Sequence, residues 1–211
     1  QSKNLPKIAI IAFIIVFLLA FTVSSLQAPF VYSSVTHIVI SEIQTDGTTA
    51  NDEFVELYNP TNTAIDLAGW RLTKRSGSGG SPANLVANMS GTIPAHGFFL
   101  VAHPSYDGSV VPDLAYSAST SAIAANNNVV TLYSDAGTTI VDLIGMGTAT
   151  IFEGSGAAPN PQTDGSIERK PGDSNPMAGN GTDTDNNASD FALRTTAQPQ
   201  NTNSSIETEL E

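Results

Sequence analysis

Asp183-Thr-Asp-Asn-Asn187 is the stretch of this sequence whose spacing best suits chemistry. Oxygen-bearing side chains alternate along it, and such alternation can wrap a hard cation. Asp183, Asp185 and Asn187 are therefore the candidate ligands for calcium. The EF-hand pattern itself fails: Ala188 stands where that loop requires glycine, and Arg194 where it requires a bidentate glutamate. The competing reading is a loop rich in Asx turns that caps the fold. No other cofactor is indicated.

Three histidines, His37, His96 and His103, are candidates for acid–base or metal work, but no two have ligand spacing. His96 sits in a Pro-Ala-His-Gly turn and should face solvent; His103, before Pro104, marks another turn. Glu53 and Glu56 make a poor catalytic pair, because an odd spacing on one strand sends side chains to opposite faces. They are better suited to holding loop backbone or to pairing with Arg71 and Arg169. Arg71, Lys74 and Arg75 form the basic cluster of the outer domain, a candidate contact for an acidic partner or for lipid headgroups. The competing reading is a solvated strand edge.

Several chemistries have no residues to carry them. The chain has no cysteine, which excludes disulfides, thiolate catalysis and cysteine metal sites. There is no Gly-x-Ser-x-Gly elbow, and the glycine-rich Ser76–Ser81 stretch lacks the Lys-Ser/Thr ending of a phosphate loop. A net charge of −12 argues against nucleic acid as a partner. These features point away from an enzyme. Asn88, Asn180, Asn187 and Asn203 each head an Asn-x-Ser/Thr glycosylation sequon, a frequent chance match in so Asn-rich a chain.

The elements that position these residues divide at residue 41. No Asp, Glu, Lys or Arg lies between Lys7 and Glu42, and every acidic residue follows. Ile8 to Leu26 spans 19 residues, a helix of about 28 Å at ~1.5 Å per residue. That length suits a ~30 Å hydrocarbon core. With Lys3 and Lys7 before it, the positive-inside rule puts the N-terminus in the cytoplasm and the rest outside. A cleaved signal peptide ending near Val23-Ser24-Ser25 is the alternative, but the apolar run exceeds a usual h-region. A pilin-like start is disfavoured by the polar Gln1–Lys7 segment. The expected organisation is a cytoplasmic stub at 1–7, a transmembrane helix at 8–26, a linker at 27–34, a β-sandwich at 35–194 and an acidic tail at 195–211.

Within 35–194, β-branched runs alternate with turn signals. Val35–Ile43, Glu53–Tyr58, Ala64–Thr73, Phe98–Ala102, Asn126–Tyr133, Thr138–Ile144 and Ser166–Arg169 read as strands. Asp135-Ala136-Gly137 reads as a hairpin connection and Ser76–Ser81 as a mobile loop. Trp70 should fill the core, Phe191 and Leu193 should plug back into it, and 201–211 should be unattached. Beyond the apolar segment there is no helical periodicity. The expected fold is all-β, an antiparallel sandwich.

Val39-Ile-Ser-Glu-Ile43, Glu53-Phe-Val-Glu-Leu-Tyr-Asn-Pro60, Ile65-Asp-Leu-Ala-Gly-Trp70 and Ile93-Pro-Ala-His-Gly-Phe-Phe-Leu100 together resemble the lamin tail domain of prokaryotic surface proteins. Asn127–Tyr133, the Asp142 strand and Ser166–Arg169 follow in the same order, so the resemblance covers Val35 to Leu193. It implies an immunoglobulin-like β-sandwich without catalytic residues, of a kind that serves as an interaction or accessory module. The resulting expectation is a single-pass cell-membrane protein that contacts lipid and docks its outer domain on other membrane-protein subunits. A tethered surface-binding or adhesion module and a self-associating filament subunit are the alternatives.

Overall fold

The computed structural model of the chain describes residues 35–171 and 180–206. The expected stub, transmembrane helix and linker lie outside the described residues, as does the tail beyond 206. Among the described residues no helix is long and apolar enough to cross a membrane.

Twelve strands build the domain among the described residues. Val39–Gln44 (β1) pairs antiparallel with Phe54–Tyr58 (β2), which pairs with Phe98–Ala102 (β7). Ser166–Arg169 (β11) joins the free side of β1, and Phe191–Arg194 (β12) joins β11. The two-residue strand Leu114–Ala115 (β8) adds in parallel to β7, completing a six-stranded sheet. The second sheet has the order β10-β9-β4-β5, from Thr139–Gly145, Asn128–Ser134, Arg71–Ser76 and Ala83–Val86. Ile65–Asp66 (β3) and Thr92–Ile93 (β6) form a small separate ribbon.

Alternation of side chains across each strand builds the core. Val55 and Leu57 of β2, Phe99 and Val101 of β7, Ile167 of β11, Leu72 of β4, Val130 and Leu132 of β9 and Ile144 of β10 meet in one apolar cluster. The outward residues of β2 and β7 are buried too, Tyr58 against Phe98 and Phe54 beside Leu100 and Ala102. The six-stranded sheet is therefore covered on both faces. A segment that follows β12 provides part of the outer cover.

Four expectations need correction. Trp70 is only half-buried, packing against the edge of the core from the turn opened by Gly69 at φ 80°. The Ser76–Ser81 stretch is tied down: the Gly77 N–H donates to the Asn127 carbonyl at 2.6 Å, and the Gly77 carbonyl accepts both the N–H and the hydroxyl of Thr150. Phe191 enters the core at 3% exposure, whereas Leu193 stays 46% exposed on the edge strand. Finally, the stretch expected to be unattached from 201 is held at its start, where Asn201 Nδ2 donates to the Val111 carbonyl and the Thr202 N–H to Asp113, continuing a segment fastened to the sheet at Gln198 and Gln200. The β9–β10 hairpin forms as expected, closed by a 3-10 turn at Asp135–Gly137.

Candidate functional site

The ionisable side chains gather in two places. The first is at one end of the sandwich, between the sheets. Arg169 ends β11 on its inward face and is completely buried. β11 pairs with β1 only at Glu42 and Ile43, so the backbone of Ile40 has no strand partner on that side. Arg169 and Asp142 replace that partner. Arg169 Nε donates to the Ile40 carbonyl at 2.9 Å, and the Ile40 N–H donates to Asp142 Oδ2 at 2.6 Å. Arg169 Nη2 reaches the same Oδ2 at 2.7 Å, so the pair links β11 of one sheet to β10 of the other.

The rest of the guanidinium is spent on the loop before β12. Nη1 donates to the Thr182 carbonyl at 2.9 Å and to Asp183 Oδ1 at 3.2 Å, with Asp190 Oδ2 at 3.6 Å. The planar fork suits this multidentate role. Its flat face lies 4.7 Å from the Phe191 ring centroid, a cation–π contact. His37 Nε2 closes the cluster from the domain entrance, 3.1 Å from Asp183 Oδ2. That hydrogen bond raises the His37 pKa against the opposing effect of burial. Burial works against ionisation of Asp183, but His37 and Arg169 outweigh it and hold its carboxyl below the usual range.

The candidate calcium ligands lie in and beside this cluster. Asp183 is committed to Arg169 and His37. Asn187, in the single-turn helix Asn187–Asp190 (α1), is fully buried. Its Oδ1 accepts the N–H groups of Gly145 and Glu153, while Nδ2 donates to the Leu143 carbonyl and to Glu153 Oε2. Asp185 is exposed at φ 51°. Asp183 and Asn187 are thus engaged with different protein partners, and among the described residues no group of three His, Cys, Asp or Glu side chains is placed to hold a metal. The loop fastens β12 and the sheet ends through Asp183, Asp190 and Asn187.

The second gathering lies on the outer face of the six-stranded sheet. Glu168, Glu42 and Glu56 sit directly opposite one another on β11, β1 and β2. Glu168 meets Arg194 Nε and the Asn180 amide. Among the described residues Glu42 and Glu56 form no ion pair, and they are 1% and 0% exposed. Ser166 donates to Glu42 Oε1 at 2.5 Å and Ser41 to Glu56 Oε1 at 2.6 Å. Burial pushes Glu42 up to about 7 and Glu56 well above the ordinary carboxyl value, each also lifted by a neighbouring glutamate.

The other sequence candidates fall elsewhere. Both oxygens of Glu53 receive the Ile123 N–H at 3.0 Å, the loop-backbone role expected of it. Burial lifts Glu53 to about 8 against that bond and the charge of Lys74. The expected pairing of these glutamates with Arg71 and Arg169 does not occur: Arg71 donates to Asn84 Oδ1 at 2.6 Å and lies 5.5 Å over the Tyr133 ring, while Arg169 takes aspartates. His96 Nε2 donates to Asn62 Oδ1 at 2.6 Å in its turn, as expected of a structural residue. His103 is buried between the Ser119 carbonyl and the Ser105 N–H.

The basic cluster is not one patch. β4 runs in unbroken register with β9, so Lys74 shares the inward face with Leu72, and Arg71 and Arg75 share the outward one. It is also not at an edge, because β5 lies beyond it. The residues that sequence reasoning missed are Asp142 and Asp190, whose contact with Arg169 is set by strand register and loop return. The available signal was Asp142, an aspartate inside the largely apolar strand Thr139–Gly145.

The chain matches the Lamin Tail Domain family over residues 32–148. No curated protein matches it. The matched span holds the strands from β1 to β10 and exceeds half of the chain. This match, with a domain of two main sheets whose regular elements are almost all strands, makes the chain a member of the lamin tail domain family, with an all-β immunoglobulin-like fold.

Proposed function

We propose that this chain is a non-catalytic structural module whose sandwich docks on other membrane-protein subunits. The observation that carries the reading is the use to which its polar core is put. Arg169, fully buried, gives its guanidinium to carboxylates and carbonyls of the same chain. The buried glutamates are likewise occupied by backbone N–H and serine groups. Charge spent in this way stiffens a shape. A rigid shape is what a docking partner needs, since ordering it on contact would weaken association.

The apolar run at 8–26 supports single-pass anchoring in the cell membrane, with the sandwich on the extracytoplasmic side. Arg71, beside Tyr133, and Arg75, opposite Val129, both outward on β4, are the basic contacts offered to an acidic subunit or to lipid headgroups. Lys74, turned inward toward Glu53, is not among them.

Native-gel separation of membranes solubilised in mild detergent, with mass spectrometry of every band containing the chain, tests this reading. Migration in one large complex with fixed partners is the expected result. Migration alone would overturn docking in favour of a tethered binding module. A ladder of self-multiples would overturn it in favour of a filament subunit.

A further inference from the structure

The segment over 197–204 crosses the outer face of the six-stranded sheet and is fastened there by its own backbone. The Gln198 N–H donates to Glu42 Oε1 at 3.0 Å, the Gln200 N–H to Glu56 Oε2 at 2.5 Å, and the Thr202 N–H to Asp113 Oδ2 at 3.1 Å. The Gln198 and Gln200 donors, two residues apart, turn one edge of an extended stretch of this strap toward Glu42 and Glu56, and the chain then turns at Asn201–Ser204, where the Ser204 N–H donates to the Asn201 carbonyl at 2.9 Å. Asn201 Nδ2 adds a bond to the Val111 carbonyl at 2.9 Å. Beneath the strap lie Phe54, Leu100 and Ala102, with Ala197 packed on them.

From these contacts we infer that the strap is a proton-controlled clasp, closed while Glu42 and Glu56 keep protons between them and released as both become charged. The geometry supplies the mechanism. Glu42 and Glu56 are cross-strand partners on one face, and two charges so placed repel each other out of water. Few groups are present to offset that. Glu168 on β11 adds a third carboxylate and Arg194 on β12 is already paired with it. Tyr106, after β7, presents a phenol that stays neutral, lifted to about 12 by burial and by the nearby carboxyls. Asp113, before β8, holds the far end, and the strap contains no charged residue between Thr195 and Ile206.

Lifting the strap lets water reach both glutamates and relieves the repulsion. The closed form therefore binds protons more tightly than the open form, and opening gains with rising pH. A Glu42 carboxyl near 7 when covered and near 4.5 when exposed changes the opening equilibrium about tenfold between pH 6 and pH 9, before Glu56 is added. A carboxylate on its own would accept the strap N–H groups well. It is the pairing that makes full ionisation unfavourable.

Hydrogen exchange of the full chain in detergent, corrected for the intrinsic pH dependence of exchange, tests the clasp. Protection at Gln198, Gln200 and Thr202 should fall at least about tenfold from pH 6 to pH 9, while Val55 and Leu57 on β2 keep theirs. The Glu42→Gln, Glu56→Gln double variant, which keeps acceptor oxygens without charge, should lose that dependence. A flat wild-type profile would overturn the inference. So would loss of β2 protection in step with the strap, or a double variant that still opens with pH. The wild-type profile decides the matter by itself if the double variant does not fold.

Discussion

The end of the sandwich around Arg169 and the outer face under the 197–204 strap both bury carboxyls, yet they handle them in opposite ways. At the sandwich end, Asp142, Asp183 and Asp190 surround one guanidinium, with His37 beside Asp183. Charge is met by charge, and the cluster binds two sheets and a loop together. On the outer face, Glu42 and Glu56 meet only hydroxyls and N–H groups. Proton binding must do there what arginine does at the end. The comparison teaches that one domain can use buried acids as a permanent rivet in one place and as a condition-dependent fastening in another.

The largest test removes the rivet. Arg169→Met leaves three carboxylates without their cation, and breaking a buried pair in this way should cost about 3–5 kcal/mol in chemical denaturation. A loss under about 1 kcal/mol would show that the aspartates are satisfied without it and that the two regions do not differ. The next test follows stability against pH. Glu42, Glu53 and Glu56 have folded pKa values above their unfolded ones. The folded state then holds more protons than the unfolded chain from about pH 4.5 upward. Stability should be greatest in mild acid and decline as pH climbs through 5 to 8, by a few kcal/mol in all. Flat stability over that range would mean that these acids are not shielded from water as the strap and loops imply.

Smaller effects sharpen the comparison. Phe191→Ala, which empties the core beside Arg169, should cost about 3 kcal/mol or more, and Leu193→Ala on the same strand well under 1 kcal/mol. Equal losses would put both residues in the core. The smallest concerns the cluster's exposed member. The His37 side chain is 41% exposed, so replacing it with Gln should cost less than about 1 kcal/mol. Because its folded pKa is raised, that contribution is full below the ordinary histidine value of 6.5 and fades as pH rises through the folded one. The His37 and glutamate responses overlap in pH, and a double-variant cycle separates them.

Strand-forming runs made most of the fold legible. β1, β2, β7, β9, β10 and β11 all rise from β-branched or aromatic stretches, and the turn at Asp135–Gly137 was marked by its residues. β5 and β8 were not legible, since Ala83-Asn-Leu-Val86 and Leu114-Ala115 are short and stand out little from their surroundings. The ionic cluster was harder still. Its members come from positions 37, 142, 169, 183 and 190, and only the register of β11 on β1 and the return of the loop bring them together. Glu56 does the expected work of holding backbone, through the Gln200 N–H, but the segment that supplies this donor was not legible, because nothing in its sequence marks it as folding over that face. The basic cluster misled through alternation, which splits neighbours in sequence between two sides of a sheet.

Asn187 heads an Asn-Ala-Ser sequence, but all of its amide is consumed inside the domain, by Gly145, Leu143 and Glu153. A sugar chain attached there before folding would have nowhere to go, and the loop that carries Asp183 and Asp190 could not seat. The fold is thus incompatible with a biosynthetic route that modifies this asparagine on the nascent polypeptide. Asn88 and Asn203, both on the surface, carry the same signal without that conflict.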